Sequence, residues 1–175
     1  MGASMGGLTS AFIAADEASN LKYDGAVFVA PYLGLYDKAM LEKMRPIVDM
    51  LKAVSPNKAL PLNHPRKKHL EEWLGDSLDL GGSVSPHNIE VNDRAFAALD
   101  QERIFERVTT PSLILRGGLD TVVSNDKIDE FFQTIPVRDK NMITYDDVDH
   151  MMFQDGEYLS VVTNDILSWL DTHSK

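Results

Sequence analysis

The feature that most constrains this chain is a pentapeptide close to its start. Gly2-Ala3-Ser4-Met5-Gly6 matches the pattern G-x-S-x-G, which places a serine on a strained turn between a strand and a helix. Glycines are expected on both sides of the serine, because larger side chains would collide with the neighbouring strand and helix. A flexible, glycine-rich terminus is the alternative interpretation. The pattern is short enough to arise by chance, so it needs support from elsewhere in the chain.

Apolar runs and helical periodicities alternate along most of the sequence. Short apolar runs predict buried strands, and apolar residues at helical spacing predict the helices. Ser124 is a candidate N-cap, and so is Asn92 or Asp93, whereas Pro46 should kink its helix or start a second one. The predicted strands cover residues 26–31, 113–115 and 141–145, and the predicted helices cover residues 5–18, 36–54, 92–107, 125–133 and 157–173. This alternation predicts right-handed βαβ units and an α/β fold of about three parallel strands.

Two polar residues beyond the predicted strands suit the chemistry of a serine nucleophile. A hydroxyl needs a base to react at neutral pH, and the base needs an acid that fixes its tautomer. Asp120 follows one strand and His150 follows the next, so the order along the chain is Ser, Asp, His, as in hydrolases with this motif. Taken singly, Asp120 suits a turn and His150 suits a solvated loop. Their joint placement at strand ends favours a serine-hydrolase site.

Composition excludes several other kinds of site. The chain has no cysteine, which rules out disulfides, thiolate nucleophiles and zinc–thiolate centres. Its net charge of −10 argues against a nucleic-acid partner, which requires clustered cations. The acidic residues lack the spacing of a calcium loop, so we expect neither a metal nor another cofactor. No apolar run approaches the roughly 20 residues that span a bilayer, and the start lacks the regions of a secretory signal.

Three segments carry a resemblance to a known family. Residues 2–7 (GASMGG), 113–120 (LILRGGLD) and 149–152 (DHMM) resemble the α/β-hydrolase superfamily and, more narrowly, its monoacylglycerol lipase and lysophospholipase group, which is similar to serine aminopeptidase S33. That group typically has His where this chain has Ala3. The resemblance implies that Ser4 is the nucleophile, Asp120 the acid and His150 the general base, with the backbone N–H of Met5 as one oxyanion-hole donor.

The resemblance also implies a division of the chain. Residues 1–31 and 109–175 would belong to the hydrolase core, and residues 32–108 would form an inserted helical cap. A basic segment at residues 64–69 suits either a solvated loop or transient contact of the cap with an anionic lipid surface. The cap would line an apolar acyl tunnel, although any one of the candidate residues, taken alone, is more often ordinary core. The candidates are Leu33, Leu35, Met44, Met50, Leu51 and Trp73.

The function implied is hydrolysis of a small lipid ester, such as a monoacylglycerol or a lysophospholipid, through an acyl-serine intermediate. Thioesterases, peptidases and haloperoxidases of related fold use the same three residue types. In the resembling family several strands precede the nucleophile, whereas here Ser4 is the fourth residue. We therefore expect an N-terminally truncated hydrolase, cytoplasmic or peripheral to membranes, that needs a complementing N-terminal segment. The alternative is a non-catalytic fragment or interaction module that retains the three residues by descent.

Overall fold

A computed structural model describes residues 1–16, 22–54, 85–154 and 156–173 of the chain. It divides into two compact units, one formed by Met1–Asp37 with Phe96–Lys175 and the other by Lys38–Ala95. The second unit falls within the 32–108 range predicted as the cap, and its bounds are narrower. Among the described residues, no helix has the length and apolar character needed to cross a membrane.

The first unit is built on a four-stranded parallel sheet whose spatial order is the same as the chain order. Its strands are β1 (Gly2–Ala3), β2 (Ala26–Val29), β3 (Ser112–Gly117) and β4 (Lys140–Tyr145). The central strands β2 and β3 are almost entirely buried, which explains their continuous apolar sequences. The predicted α/β class with parallel strands is confirmed. The sheet has one strand more than predicted, because β1 precedes Ser4 directly.

Helices of the first unit alternate with these strands along the chain. Ser124 caps one of them, since its Oγ accepts a hydrogen bond from the backbone N–H of Lys127 at 3.3 Å. The core contains an aromatic cluster in which the Phe131 ring meets Phe28 and Phe105 edge-on, with centroids 5.1 and 4.9 Å away. The helices are α1 (Met5–Ala14), α4 (Ile104–Arg107), α5 (Asn125–Thr134) and α6 (Leu159–His173).

The remaining helices are α2 (Lys38–Val54) and α3 (Pro86–Gln101). Within the second unit, Arg45 pairs with Asp93, which raises the pKa of the Arg45 guanidinium chiefly through their hydrogen bond. Lys52 Nζ lies 2.7 Å from a carboxylate oxygen of Glu90. Both pairs join a side chain of α2 to one of α3.

Both ends of the helix predicted over residues 92–107 need correction. The helix expected to begin after Asn92 or Asp93 begins at Pro86, where proline suits the first helical position, and Ser85 Oγ accepts from the backbone N–H of Asn88 at 3.2 Å. That helix was also expected to reach residue 107, but it ends at Gln101, and the left-handed Arg103 (φ 51°) separates it from α4.

Pro46 was expected to kink its helix or to start a second one. The start of a second helix there is excluded, because a single helix, α2, continues through Pro46. Proline removes one backbone hydrogen bond, and the rest of the 17-residue helix remains.

Candidate active site

Ser4 occupies a sharp turn between β1 and α1. Its backbone has φ 50° and ψ −118°, a left-handed conformation that costs a non-glycine residue about 1–3 kcal/mol. The turn is held by backbone hydrogen bonds: Ser4 N–H donates to Val29 O at 2.9 Å, and Ser4 O accepts from Gly7 N–H at 2.9 Å and from Tyr32 N–H at 3.0 Å. The surrounding backbone thus fixes a strained serine with its side chain partly exposed.

The glycines around Ser4 have different surroundings. A Cβ on Gly2 would lie 2.1 Å from Gly6 O, and one on Gly7 would lie 2.7 Å from both Pro31 Cα and Cβ. At Gly6 a Cβ would meet no described atom within 4 Å. The expectation that both motif glycines are sterically required is therefore met at Gly2 and not at Gly6. Gly7, one residue beyond the motif, is the second glycine at which a side chain would collide, in this case with Pro31.

Asp120 lies in the loop that follows β3, and its carboxylate is held in a fixed orientation. Oδ1 accepts hydrogen bonds from the backbone N–H groups of Val122 (2.8 Å) and Val123 (3.0 Å). The residue is 3% exposed, so these bonds compensate for the burial of its charge. With Oδ1 occupied, Oδ2 is directed at the ring of His150, 2.8 Å away.

His150 joins Asp120 to Ser4. Its Nδ1 lies 2.8 Å from Asp120 Oδ2, and its Nε2 lies 2.9 Å from Ser4 Oγ. An ionised carboxylate only accepts, so Nδ1 carries the proton of the neutral ring and Nε2 is left to accept one from the Ser4 hydroxyl. The structure thus brings the three residues predicted from sequence into one hydrogen-bonded chain that can deprotonate a serine.

An apolar cavity of about 180 Å³ opens beside Ser4 and His150. At its edge Ala30 has φ 41°, a second left-handed residue that is 2% exposed. Leu33 and Leu35, the two tunnel candidates in the first unit, do not line this cavity. The sequence marks the residues directly after His150 as an apolar run, but such a run does not distinguish a cavity wall from a core. The cavity is lined by Ala3, Ser4, Val29, Ala30, His150, Met151, Phe153 and Gln154.

The six tunnel candidates have different environments. Leu33 is 2% exposed and is a core residue of the first unit, and Leu35 there is half-buried. On α2 of the second unit, Met44 and Met50 are 41% and 60% exposed, whereas Leu51 is half-buried. Trp73 lies outside the described residues, as does the basic segment 64–69.

Met5 begins α1, where a helix leaves its first N–H groups without intrahelical partners. Its N–H is therefore suited to bind a developing negative charge next to Ser4. Within the described part of the chain, no cluster of three or more His, Asp or Glu side chains could hold a metal ion.

Comparison with known proteins gives one family match. Residues 1–157 match the family model described as serine aminopeptidase, S33, in agreement with the resemblance seen in the motif residues. A search of curated protein sequences gave no match.

Solved structures share the fold at low sequence identity. A soluble variant of monoglyceride lipase from Saccharomyces cerevisiae has a TM-score of 0.78 at 22% identity, over 99% of this chain and 61% of its own. Monoacylglycerol lipase from Paleococcus ferrophilus has a TM-score of 0.75 at 23% identity, over 99% and 67%. A carboxyl esterase from Bacillus coagulans has a TM-score of 0.69 at 12% identity, over 98% and 63%. The chain thus spans about three fifths to two thirds of the length of these structures.

Proposed function

Because the chain belongs to the serine aminopeptidase S33 family, we propose that it is a serine hydrolase of the lipase and esterase type, with Ser4, Asp120 and His150 as its catalytic residues. The observation that carries the proposal is the hydrogen-bonded chain from Asp120 Oδ2 through both ring nitrogens of His150 to Ser4 Oγ. Nucleophile, base and orienting acid within hydrogen-bond reach are what acyl transfer requires.

The proposed reaction proceeds in two halves. Ser4 Oγ attacks the ester carbonyl carbon while His150 Nε2 takes the hydroxyl proton, and the Met5 N–H binds the resulting oxyanion. His150 then gives that proton to the departing alcohol oxygen, which leaves an acyl-serine. A water molecule cleaves the acyl-serine by the same proton route, releases the carboxylic acid and restores the serine hydroxyl. Asp120 stays ionised and stabilises the imidazolium in both halves.

The substrate we propose is a small lipid ester, such as a monoacylglycerol or a lysophospholipid. The cavity beside Ser4 supports an apolar group, since Val29, Met151 and Phe153 contribute to its lining. Its volume of about 180 Å³ is smaller than the ~300–1,000 Å³ of typical ligand sites, which suits one short chain. Two of the structures with the same fold are named monoglyceride and monoacylglycerol lipase.

Two further parts of the proposal concern partners. The exposed methionines of α2, including Met44 and Met50, are suited to acyl chains or to transient contact with a lipid surface, in a cytoplasmic or membrane-peripheral setting. A complementing segment, in the same chain or in a partner, would supply a second oxyanion donor beside Met5. This chain covers 61% of the yeast lipase structure, and that partial coverage supports this part of the proposal.

An alkyl fluorophosphonate probe tests the proposal directly, because it labels only a serine that a neighbouring base activates. We expect labelling of Ser4 in the 175-residue chain, its loss in Ser4→Ala, and at least a hundredfold slower labelling in His150→Ala, since a positioned general base contributes about 10²–10⁴-fold. Thr9→Ala, which removes a hydroxyl of α1 that bonds to Met5 O, is the matched control and should label like the native chain. Folded protein that remains unlabelled would contradict catalysis by this chain alone.

A further inference from the structure

The loops that carry Asp120 and His150 leave the sheet from one register pair. β3 and β4 end side by side, with Gly117 opposite Tyr145. The Tyr145 carbonyl accepts a hydrogen bond from Gly118 N–H of the acid loop (2.8 Å) and another from Val148 N–H of the base loop (3.1 Å). The backbone of one residue therefore sets the starting position of both loops.

Beyond that point the two loops stay in contact. Leu119 N–H donates to Val148 O at 2.9 Å. A Cβ on Gly117 would lie 2.4 Å from Val148 O, and one on Gly118 would lie 2.6 Å from Asp146 O. The absence of side chains at these two glycines lets the base loop cross closely over the end of β3. A displacement of Tyr145 would consequently move both catalytic loops.

The side chain of Tyr145 is held by residues other than the three catalytic candidates. Its hydroxyl donates to Asp165 Oδ2 of α6 at 2.7 Å, and its ring meets Tyr158 edge-on with centroids 6.5 Å apart. Tyr145 is 8% exposed. Burial, followed by the hydrogen bond to Asp165, raises the pKa of the Tyr145 phenol well above its ordinary range, so it remains a neutral donor. Helix α6 is itself anchored in the core by Val162, Ile166 and Trp169.

We propose that Tyr145 and Asp165 are a positioning pair, which fixes the origin of the acid and base loops and thereby holds His150 in line between Asp120 and Ser4. The pair touches no reacting atom and acts through the backbone of Tyr145. This inference rests on the proposed function only for its consequence in catalysis. The geometric part concerns the His150–Asp120 hydrogen bond and can be measured whether or not the chain is reactive.

The test removes one hydrogen bond from either side. Tyr145→Phe deletes the donor and keeps the ring, and Asp165→Asn weakens the acceptor from the helix side, so the second variant serves if the first does not fold. Tyr23→Phe, which removes a partly exposed hydroxyl of the segment that precedes β2, is the matched control. The first measurement is the NMR signal of the His150 Nδ1 proton in the full chain, which reports its hydrogen bond to Asp120. The second is the rate of fluorophosphonate labelling.

We expect the Nδ1 proton signal to shift or broaden in both variants and to stay unchanged in the control. Labelling should slow by about three- to tenfold, because a displacement of 1 Å at a reacting group costs up to about 10²-fold. The double variant should be no slower than the slower single variant, since both remove the same bond. Variants that lose thermal stability but keep the native NMR signal and labelling rate would overturn the inference, as would additive effects. A folded native chain that stays unlabelled would refute catalysis by this chain alone, and the NMR signal would still decide this inference.

Discussion

Replacing Gly7 with alanine should destabilise the first unit, whereas the same change at Gly6 should not. The two residues are neighbours in α1, so both changes bring the gain in helix propensity, about 0.5–1 kcal/mol. Only Gly7 is buried, with its Cβ position 2.7 Å from the backbone and ring of Pro31. Overpacking against such rigid atoms costs about 1–3 kcal/mol. Because the propensity gain is common to both, the variants should differ by that overpacking cost.

Thermal unfolding followed by circular dichroism measures this difference. For a chain of this size, about 1–3 kcal/mol corresponds to midpoints that differ by about 2–12 °C. Gly6→Ala serves as the internal control, since no described atom lies within 4 Å of its Cβ position. Equal midpoints, or a lower midpoint for Gly6→Ala, would refute the assignment of the close approach to Gly7 rather than to the second glycine of the motif.

Two further predictions concern backbone strain and pH. Ser4→Gly should be more stable than Ser4→Ala by about 0.5–2 kcal/mol in urea unfolding, because only glycine relieves the left-handed backbone and both lose the hydroxyl; equal stabilities would exclude strain. The Trp169 carbonyl, and then Asp139, raises the pKa of His173. The stabilisation that protonated His173 contributes should be full below pH ~6.5 and lost as the pH rises through the folded-state pKa of His173. Between pH 5 and 8 the unfolding midpoint should therefore decrease less in His173→Gln than in the native chain.

The central sheet was predictable because its signal is local. The runs around Phe28 and Ile114 are apolar without alternation, as expected of strands buried on both faces, and both residues are 0% exposed. Ser124 was likewise predictable as an N-cap, since one hydroxyl and one nearby N–H suffice. Where all the residues that determine a structural feature lie in one short segment, the sequence alone predicts that feature.

Strand β1 could not be predicted from its own residues. Gly2 and Ala3 have little strand propensity, and they are a strand only because they pair with Phe28 and Val29 of β2. The start of α3 shows a similar difficulty, because Ser85, Asn92 and Asp93 are all acceptable caps by residue type. In both places the outcome depends on contacts that a local pattern does not contain.

The candidate site lies between these cases. Order and spacing identified Ser4, Asp120 and His150, because parallel strands end at one edge of the sheet and each residue follows a strand end. The apolar lining beyond His150 was missed, since Met151 and Phe153 have no pattern that separates a cavity wall from a core. Their role depends on where the base loop lies in three dimensions.

That placement is demanding, because β1 and β4 are opposite edges of the four-stranded sheet. Three strand spacings of about 4.8 Å separate Ser4 from the strand that leads to His150, roughly 14 Å. The base loop has five residues after Tyr145, counting His150 itself, and it begins with a turn, because Val148 N–H donates to Tyr145 O at 3.1 Å. The loop passes close to the end of β3, where Gly117 and Gly118 make room for it. The His150 ring, hydrogen-bonded to Asp120, covers the remaining distance to Ser4 Oγ. The base therefore reaches Ser4 through three features that act together. These are the short base loop, the Gly117-Gly118 pair, and Asp120 in the loop after the intervening strand β3.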